Sequence, residues 1–276
     1  MSHNNYHLNT PNEQHHNYAL ATMSSALALH EGAVFIADAH YSHQRPQLLD
    51  FLKAIASGKI KTTQLILMGD IFDQLFGGIP YTVERNAEAV ATIRRIVSQM
   101  DVIYLEGNHD FQLASIFDNM HIFPIEAQPV LCTYQGAVVM LAHGDFGTDP
   151  GYRIYTGLIR RKSILWGLRW FDQLTGHSIV KWIDAHNAKK EDCNDFTGFE
   201  AYIRRRLENV ELEGVDYFIE GHYHQNRQFK IVETTYINLG AFACNQRYFE
   251  LKSLHNGPFL EEVIFGKEQG CEMIMS

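Results

Sequence analysis

Aspartate, asparagine and histidine residues follow five of the short apolar runs in this 276-residue sequence. In chain order these clusters are Asp38-Ala39-His40, Gly69-Asp70-Ile71-Phe72-Asp73, Gly107-Asn108-His109-Asp110, His143-Gly144-Asp145 and Gly221-His222-Tyr223-His224. Oxygen donors and imidazoles without a thiolate suit Mn, Fe, Zn or a similar divalent ion. One carboxylate can bridge two ions, and two ions about 3.5–4 Å apart can hold both the attacking and the leaving oxygen of a displacement. The pattern therefore predicts a two-metal centre that cleaves phosphate esters or anhydrides.

Each cluster taken alone has an ordinary explanation. Asp38 and His40 could be a capping aspartate and a surface histidine, and Asp70 could cap the helix that follows it. His222 and His224 could be ordinary histidines at the end of a strand. The metal-site interpretation is favoured because all five clusters stand at the ends of apolar runs.

Three of these runs have the composition of buried strands, at Ala33–Ala37, Gln64–Met68 and Val102–Leu105. Helices are predicted between them, at Pro46–Ser57 and Thr82–Gln99, from the spacing of their apolar residues. Strands that alternate with helices indicate parallel βαβ units. In such sheets ligands bind beyond the carboxyl ends of the strands, which is where the polar clusters lie.

After Met120 the pattern changes to strands without intervening helices. A hairpin is predicted from Val130–Tyr134 and Ala137–Leu141, which flank Gln135-Gly136. The later apolar runs indicate mainly antiparallel strands, at Tyr217–Ile219, Phe229–Val232, Thr235–Ile237, Tyr248–Leu251 and Leu260–Phe265. The prediction is an α/β fold in which two sheets lie between layers of helices, an αββα sandwich.

The domain organisation follows from where this pattern stops. Residues 151–212 contain no convincing strand and are predicted to be a helical insertion, or lid, in a core formed by residues 31–150 and 213–276. Residues 1–30 are rich in polar residues and are predicted to be a flexible tail. The apolar stretch Ala19–Leu29 is short and has no basic residue before it, so no signal peptide is expected.

Composition limits the function classes. With 46% hydrophobic residues the chain can bury a sizeable core, and no stretch approaches the ~18 apolar residues of a membrane span. A net charge of -9 argues against nucleic acid as a partner, and no obligate protein partner is evident. The four cysteines lie far apart, which predicts neither a disulfide framework nor a cysteine metal site and suits a reducing cytoplasm.

The series D-x-H, G-D-x-x-D, G-N-H-D, H-G-D and G-H-x-H resembles the signature of the calcineurin-like metallophosphoesterases, over about residues 33–150 and 213–250. The resemblance implies that Asp38, His40, Asp70 and His224 hold one metal ion. It implies that Asn108, His143 and His222 complete a second site, with Asp70 bridging the two. His109 would be a proton donor or phosphate contact oriented by Asp110. The expected cofactor is two divalent ions, Mn first, with Fe and Zn as alternatives.

The predicted insertion suggests a substrate. Residues 151–190 carry eight basic residues against two acidic ones, interleaved with aromatic residues that include Trp166 and Trp170. A basic, tryptophan-rich amphipathic segment suits a membrane surface or a lipid phosphate. The alternative is a pair of helices packed on its own domain, with the tryptophans as core.

This layout is similar to the bacterial UDP-2,3-diacylglucosamine diphosphatases of lipid A synthesis, which carry a helical lid after H-G-D. The likeness extends to the H-G-D-x-x-x-D run, to Phe111 and to Leu239-Gly240-Ala241-Phe242. It implies hydrolysis of a nucleotide-linked glycolipid, UDP-2,3-diacylglucosamine, to UMP and 2,3-diacylglucosamine 1-phosphate. It places the protein in the cytoplasm, peripheral at the inner membrane. The residues expected to contact substrate are Asp149, Tyr152, Arg153, Arg160, Arg161 and Trp166.

One departure keeps two alternatives open. The diphosphatases typically have arginine at the position of His109, whereas the wider superfamily has histidine. The first alternative is a phosphoesterase that acts on a soluble nucleotide, dinucleotide or phosphoprotein. The second is a non-catalytic binding module on the same fold.

Overall fold

The computed structural model describes residues 26–146, 167, 170–187, 193–253 and 260–266. Its strands are Leu27–Ala28 (β1), Val34–Ile36 (β2), Gln64–Leu67 (β3), Leu75–Phe76 (β4), Asp101–Leu105 (β5), Asp110–Phe111 (β6), His121–Phe123 (β7), Val130–Tyr134 (β8), Ala137–Ala142 (β9), Tyr217–Glu220 (β10), Arg227–Ile231 (β11), Thr234–Asn238 (β12), Arg247–Leu251 (β13) and Leu260–Ile264 (β14). Its α-helices are Gln47–Ala56 (α1), Pro80–Arg85 (α2), Ala87–Val97 (α3), Ser178–Asn187 (α4), Phe199–Arg206 (α5) and Phe242–Asn245 (α6). Short 3₁₀ turns lie at Leu113–Ser115 and Ile125–Ala127.

Two six-stranded sheets pack face to face. One has the order β14-β13-β2-β3-β5-β7 and the other β1-β8-β9-β10-β12-β11, while β4 and β6 form a small separate pair. Successive side chains of a strand point to opposite faces. Phe35 and Ile66 therefore enter the core between the sheets with Val139 and Ile219. The predicted mixed α/β fold with two sheets is confirmed.

Helices cover both outer faces. Helices α1 and α3 bury Phe51 and Ile93 in one apolar cluster with Ile36 of β2. On the other sheet, α5 buries Phe199 and Ile203 against Phe218 and Tyr236. These contacts complete the αββα layers. The helices cover the faces of the sheets, and the polar clusters lie at the strand ends.

Three local predictions differ from the structure. The single helix predicted at Thr82–Gln99 is two helices, because the Asn86 side chain donates to the Gln74 and Thr82 carbonyls (both 2.8 Å) where the helices meet. A side chain that bonds to nearby backbone in this way competes with helix continuation. Leu27 and Ala28, placed in the tail, pair in parallel with β8. Strand β10 runs parallel to both of its neighbours, β9 and β12, rather than antiparallel.

The described parts of residues 151–212 contain helical residues at 170–174, helices α4 and α5, and turns, and they contain no strand. Helix α4 is attached to the core through Asp184, whose oxygens accept hydrogen bonds from Arg85 Nη1 (2.8 Å) and Gln74 Nε2 (2.7 Å). The ring of His177, just before α4, stacks on Tyr81 with centroids 3.8 Å apart. The bounds of the insertion stay a prediction. Within the described residues, the structure holds no helix of the length and apolarity that crossing a bilayer requires.

A disulfide joins Cys193 to Cys244 and contradicts the prediction that the cysteines form no bridge. The partners are 51 residues apart in sequence, so neither a motif nor a spacing predicts the pair. Cys244 lies on α6, after strand β12, and Cys193 lies in the chain that leads into α5. The bond therefore ties the predicted insertion to the core.

We expect the Cys193→Ser/Cys244→Ser variant to lose about 2–4 kcal/mol of unfolding free energy, because opening a loop of this length restores entropy to the unfolded chain. Urea unfolding measures the loss. The wild type with reductant should match the variant, and the variant itself should not respond to reductant. A variant as stable as the oxidised wild type would contradict the expectation.

Candidate metal centre

The predicted ligands meet at one end of the sandwich. Strands β2, β3 and β5 are parallel and end in register. Strands β9 and β10 of the other sheet are also parallel and end in register. The residues that follow them form three overlapping groups whose potential ligand atoms lie within 4.8 Å of one another: Asp38, His40 and His224; His40, Asp70 and His109; and Asp70, His143 and His222. Asp70 belongs to two groups, as a bridging carboxylate would.

The backbone is strained where it carries these side chains. The φ angles are positive at Asp38 (51°), His40 (44°), Asp70 (50°), His222 (65°) and His224 (60°). Residues with a Cβ seldom adopt this left-handed region, and such strain clusters at functional sites. The fold therefore enforces a conformation that points these side chains into one space.

Gly107 shows how close the loops approach. A Cβ built on this residue would lie 2.2 Å from Asp70 Oδ1 and 2.7 Å from Asp70 N. Only glycine lets the loop after β5 pass so near the Asp70 carboxylate. The same oxygen accepts a hydrogen bond from His109 N at 2.8 Å, which fixes the orientation of the carboxylate.

The orientation of the His143 ring is set by its other nitrogen. Nδ1 lies 2.9 Å from the Met68 carbonyl and donates to it, so Nε2 is the nitrogen left to bind a metal ion. Nε2 lies 3.4 Å from Asp70 Oδ2, and the side chain is fully buried. A backbone carbonyl that fixes the tautomer in this way is the usual partner of a metal-binding histidine.

Several buried atoms at the site have no hydrogen-bond partner among the described residues. They include Asp38 Oδ1, His40 Nε2, Asn108 Oδ1 and His143 Nε2. Buried polar atoms are almost always satisfied, and a cation bound here would satisfy these unpartnered atoms. Carboxylate, amide and imidazole donors in these numbers fit divalent ions such as Mn, Fe or Zn.

The protonation of two histidines suits the same interpretation. Burial, with the charge of His143 adding to it, lowers the pKa of His222 to about 3. Burial also lowers the pKa of His40 well below its ordinary value, although the nearby Asp70 opposes the shift. Both rings are therefore neutral near neutral pH, and neutral imidazole is the form that binds a metal ion.

Asp110 does not orient His109 as expected. Its carboxylate accepts hydrogen bonds from the backbone N–H groups of Asp70, Ile71, Phe72 and Gly107, and from the Tyr104 hydroxyl, at 2.6–3.2 Å. Asp110 thus fixes the loop after β3 that carries Asp70.

Asp73 and Asn187 contact His109 instead. His109 Nδ1 lies 2.9 Å from the Asp73 carbonyl and 3.6 Å from Asp73 Oδ1. Asn187, at the end of α4, donates to Asp73 Oδ1 (3.0 Å), and its Nδ2 lies 3.4 Å from His109 Nδ1. The predicted insertion therefore reaches the metal centre through Asn187. Asp73 ends the G-D-x-x-D cluster but is not among the predicted ligands, and no sequence signal marks Asn187.

We expect Asn187→Ala to lower kcat/KM about tenfold and to cost roughly 1–3 kcal/mol of stability, because it leaves the partly buried Asp73 carboxylate without its donor. The measurements are steady-state kinetics and thermal unfolding. Lys181→Ala, on the exposed side of the same helix, is the matched control and should change neither. Unchanged kinetics in Asn187→Ala would show that the contact is structural only.

The six residues expected to contact substrate lie outside the described residues: Asp149, Tyr152, Arg153, Arg160, Arg161 and Trp166. Their role stays a prediction. All seven predicted metal ligands lie in the described part of the chain, and six of them come together with His109 in the candidate groups. Asn108 lies between Gly107 and His109, which both approach the Asp70 carboxylate.

This fold, with carboxylates and imidazoles gathered around a shared aspartate, defines the class of metal-dependent phosphoesterases. Residues 33–226 match the family model for calcineurin-like phosphoesterases. The chain belongs to that family, which works with divalent metal ions.

The chain is similar to proteins named UDP-2,3-diacylglucosamine hydrolase. The one from Aromatoleum aromaticum is 26% identical over 70% of this chain and 80% of that protein. The one from Photorhabdus laumondii is 24% identical over 70% of this chain and 81% of that protein. Among solved structures, an archaeal phosphodiesterase aligns with 84% of this chain and 98% of its own, at 12% identity and a TM-score of 0.44.

Proposed function

We propose that this enzyme cleaves a phosphate anhydride at a two-metal centre. Asp38, His40 and His224 hold one ion with Asp70, and Asn108, His143 and His222 hold the other with the same carboxylate. The observation that carries the proposal is the set of buried ligand atoms around Asp70 that lack a hydrogen-bond partner among the described residues.

When bound, two divalent ions supply charge for the phosphoryl oxygens and make water acidic enough to attack phosphorus near neutral pH. The chain fixes the geometry of this step. His109 lies beside His40, with ring centroids 5.0 Å apart, and its Nδ1 is engaged by Asp73. Nε2 remains for the substrate, and a ring protonated on both nitrogens would donate from it to a phosphoryl oxygen or to the leaving group.

The proposed substrate is UDP-2,3-diacylglucosamine, and the products are UMP and 2,3-diacylglucosamine 1-phosphate. Support comes from the names of the relatives, which this chain matches over most of their length. Further support comes from the basic, aromatic sequence of residues 151–190.

Exposed apolar side chains on the predicted insertion also favour a lipid. Trp170, Phe171, Leu174 and Trp182 are 53%, 57%, 81% and 69% exposed. Large apolar groups exposed at the surface are typical of binding surfaces when they form a patch. Tryptophan beside basic residues suits the boundary between lipid and water, so peripheral contact with the inner membrane belongs to the same proposal.

A soluble substrate is the second candidate, and His109 is the observation in its favour. Most of the diphosphatases are expected to use arginine here, to hold a charged phosphate. A histidine can donate a proton, which matters more for a substrate with a poor leaving group. Nucleotides, dinucleotides and phosphoproteins are the substrates to compare.

The test is release of UMP from UDP-2,3-diacylglucosamine by the purified protein with added Mn²⁺, beside an Asp70→Ala control. Turnover that needs the metal and is absent from the control supports the lipid substrate. Cleavage of a generic phosphodiester without cleavage of the lipid would support the proposed two-metal centre and contradict the proposed lipid substrate.

We expect Trp170→Ala and Trp182→Ala to lower kcat/KM for the lipid about tenfold or more while leaving a small chromogenic diester unaffected, since each removes a large apolar contact worth roughly 1–3 kcal/mol. Val232→Ala is the control, because Val232 is an apolar residue that is more exposed (87%) but lies on the turn after β11. Equal losses on both substrates would contradict a lipid-binding role.

A further inference from the structure

A buried charged pair lies behind the predicted metal ligands. Arg206, the last residue of α5, and Glu220, the last residue of β10, have side chains that are 5% and 0% exposed. Arg206 Nη2 donates to Glu220 Oε2, which also accepts a hydrogen bond from the Tyr236 hydroxyl (2.7 Å). Neither residue belongs to the predicted ligand set, and His222 follows Glu220 by two positions.

The guanidinium of Arg206 also binds the turn that follows His143. Its Nη1 donates to the carbonyls of Gly144 (3.0 Å) and Phe146 (3.3 Å). Its two ends therefore join the His143 turn to the strand that carries His222. Arginine suits this task because its donors form a rigid planar fork, which a lysine does not offer.

Aromatic rings hold the guanidinium in place. Its carbon lies 5.1 Å from the centroid of Phe146 and 5.3 Å from that of Tyr223. Tyr223, between the two predicted ligands of the G-H-x-H cluster, donates from its hydroxyl to the same Gly144 carbonyl (3.2 Å). Cation–π contacts of this kind gain strength when they are shielded from water.

The two turns are close enough for a shift of one to displace the other. A Cβ on Gly144 would lie 3.0 Å from His222 Cβ, and the rings of His143 and His222 have centroids 5.0 Å apart. Both rings belong to one candidate ligand group with Asp70. Their mutual distance therefore depends on the Arg206 contacts.

Stability alone is a weak reason for this arrangement. Removing two charges from water costs about as much as their attraction returns, and apolar replacements of buried ion pairs are often as stable. What the pair supplies is a fixed geometry. On the proposed two-metal centre, we propose that Arg206 is a positioning residue, which holds His143 and His222 at the spacing the second ion requires.

The other ion should depend on Arg206 much less. His224, a predicted ligand of the other ion, is held separately, because the backbone N–H of the next residue, Gln225, donates to Asn238 Oδ1 (2.8 Å). Asp38 and His40 follow β2 of the other sheet, and Asp38 is linked to the turn through a hydrogen bond that the backbone N–H of His222 donates to Asp38 Oδ2 (2.8 Å). The loss of Arg206 should therefore affect one ion and spare the other.

The test is titration of metal-free protein with Mn²⁺, by calorimetry and by electron paramagnetic resonance, which distinguishes a coupled pair of Mn²⁺ ions from a single ion. In Arg206→Met we expect one ion to keep its affinity and the other to bind about 10–100-fold more weakly, the usual effect of losing an outer contact of a metal ligand. Arg204→Met is the matched control, because Arg204 lies on the same helix in an exposed pair with Glu200.

A second variant, Arg206→Met/Glu220→Gln, covers the case in which an unpaired buried Glu220 unfolds the protein. It removes both charges and should fold, yet still bind the second ion weakly. A folded variant that binds both ions like the wild type would overturn the proposal, and so would an equal weakening of both. A wild type that binds a single Mn²⁺ would instead reject the two-metal centre.

Discussion

Replacement of Asp70 by alanine is expected to lower kcat/KM for every phosphoester substrate by about a thousandfold or more. Bound metal ions contribute several kcal/mol of transition-state stabilisation, and each 1.36 kcal/mol is about tenfold in rate. Asp70 belongs to two of the three candidate ligand groups, so its loss disturbs both ions. It also removes the acceptor of the His109 backbone N–H.

The measurement combines kinetics with metal content. Asp70→Ala should be folded and should bind less Mn²⁺ than the wild type. Asp118→Ala is the control, since Asp118 is an exposed carboxylate away from the site, and it should change neither quantity. An Asp70→Ala variant with full metal content and normal turnover would contradict the bridging role.

The site could be predicted from sequence because its signal is local. Each cluster follows an apolar run, and parallel strands bring their carboxyl ends to one edge, so Asp38, Asp70 and Asn108 had to meet if the runs were strands. The same reasoning placed His143 after the hairpin. The predicted antiparallel direction of β10 was wrong, because the apolar residues at Tyr217–Ile219 indicate a strand without indicating its direction.

The contacts that sequence reasoning missed are long-range. Cys193 meets Cys244, Asn187 meets Asp73 and Arg206 meets Gly144 only after the helices of the predicted insertion are packed on the core. Strands of two residues, such as β1 and β4, are too short to show a period. Glu220 did offer a signal, because a carboxylate that ends a buried strand requires a partner.

The misassigned role of Asp110 has a simple geometric cause. Asp110 begins β6, and consecutive side chains of an extended chain point to opposite sides. The carboxylate of Asp110 therefore turns away from the His109 ring and into the buried loop, where five donors reach it. A neighbour in sequence is a poor guide to a side-chain contact here.

His109→Gln is expected to slow hydrolysis of a uridine phosphodiester with an alkyl leaving group by about 10²–10⁴-fold, the range for loss of a general acid. The same variant should lose much less with a p-nitrophenyl leaving group, which departs without a proton. The measurement is kcat/KM for both esters. The exposed His121→Gln is the control and should lose nothing.

The ratio between the two esters separates the roles that His109 could have. Equal losses would assign His109 to phosphate contact, and no loss on either would contradict both roles. His109→Arg provides a further comparison, because arginine keeps a positive donor near the phosphate and cannot give up its proton. It should therefore retain activity with the p-nitrophenyl ester and lose it with the alkyl ester, since only the alkyl ester needs the proton.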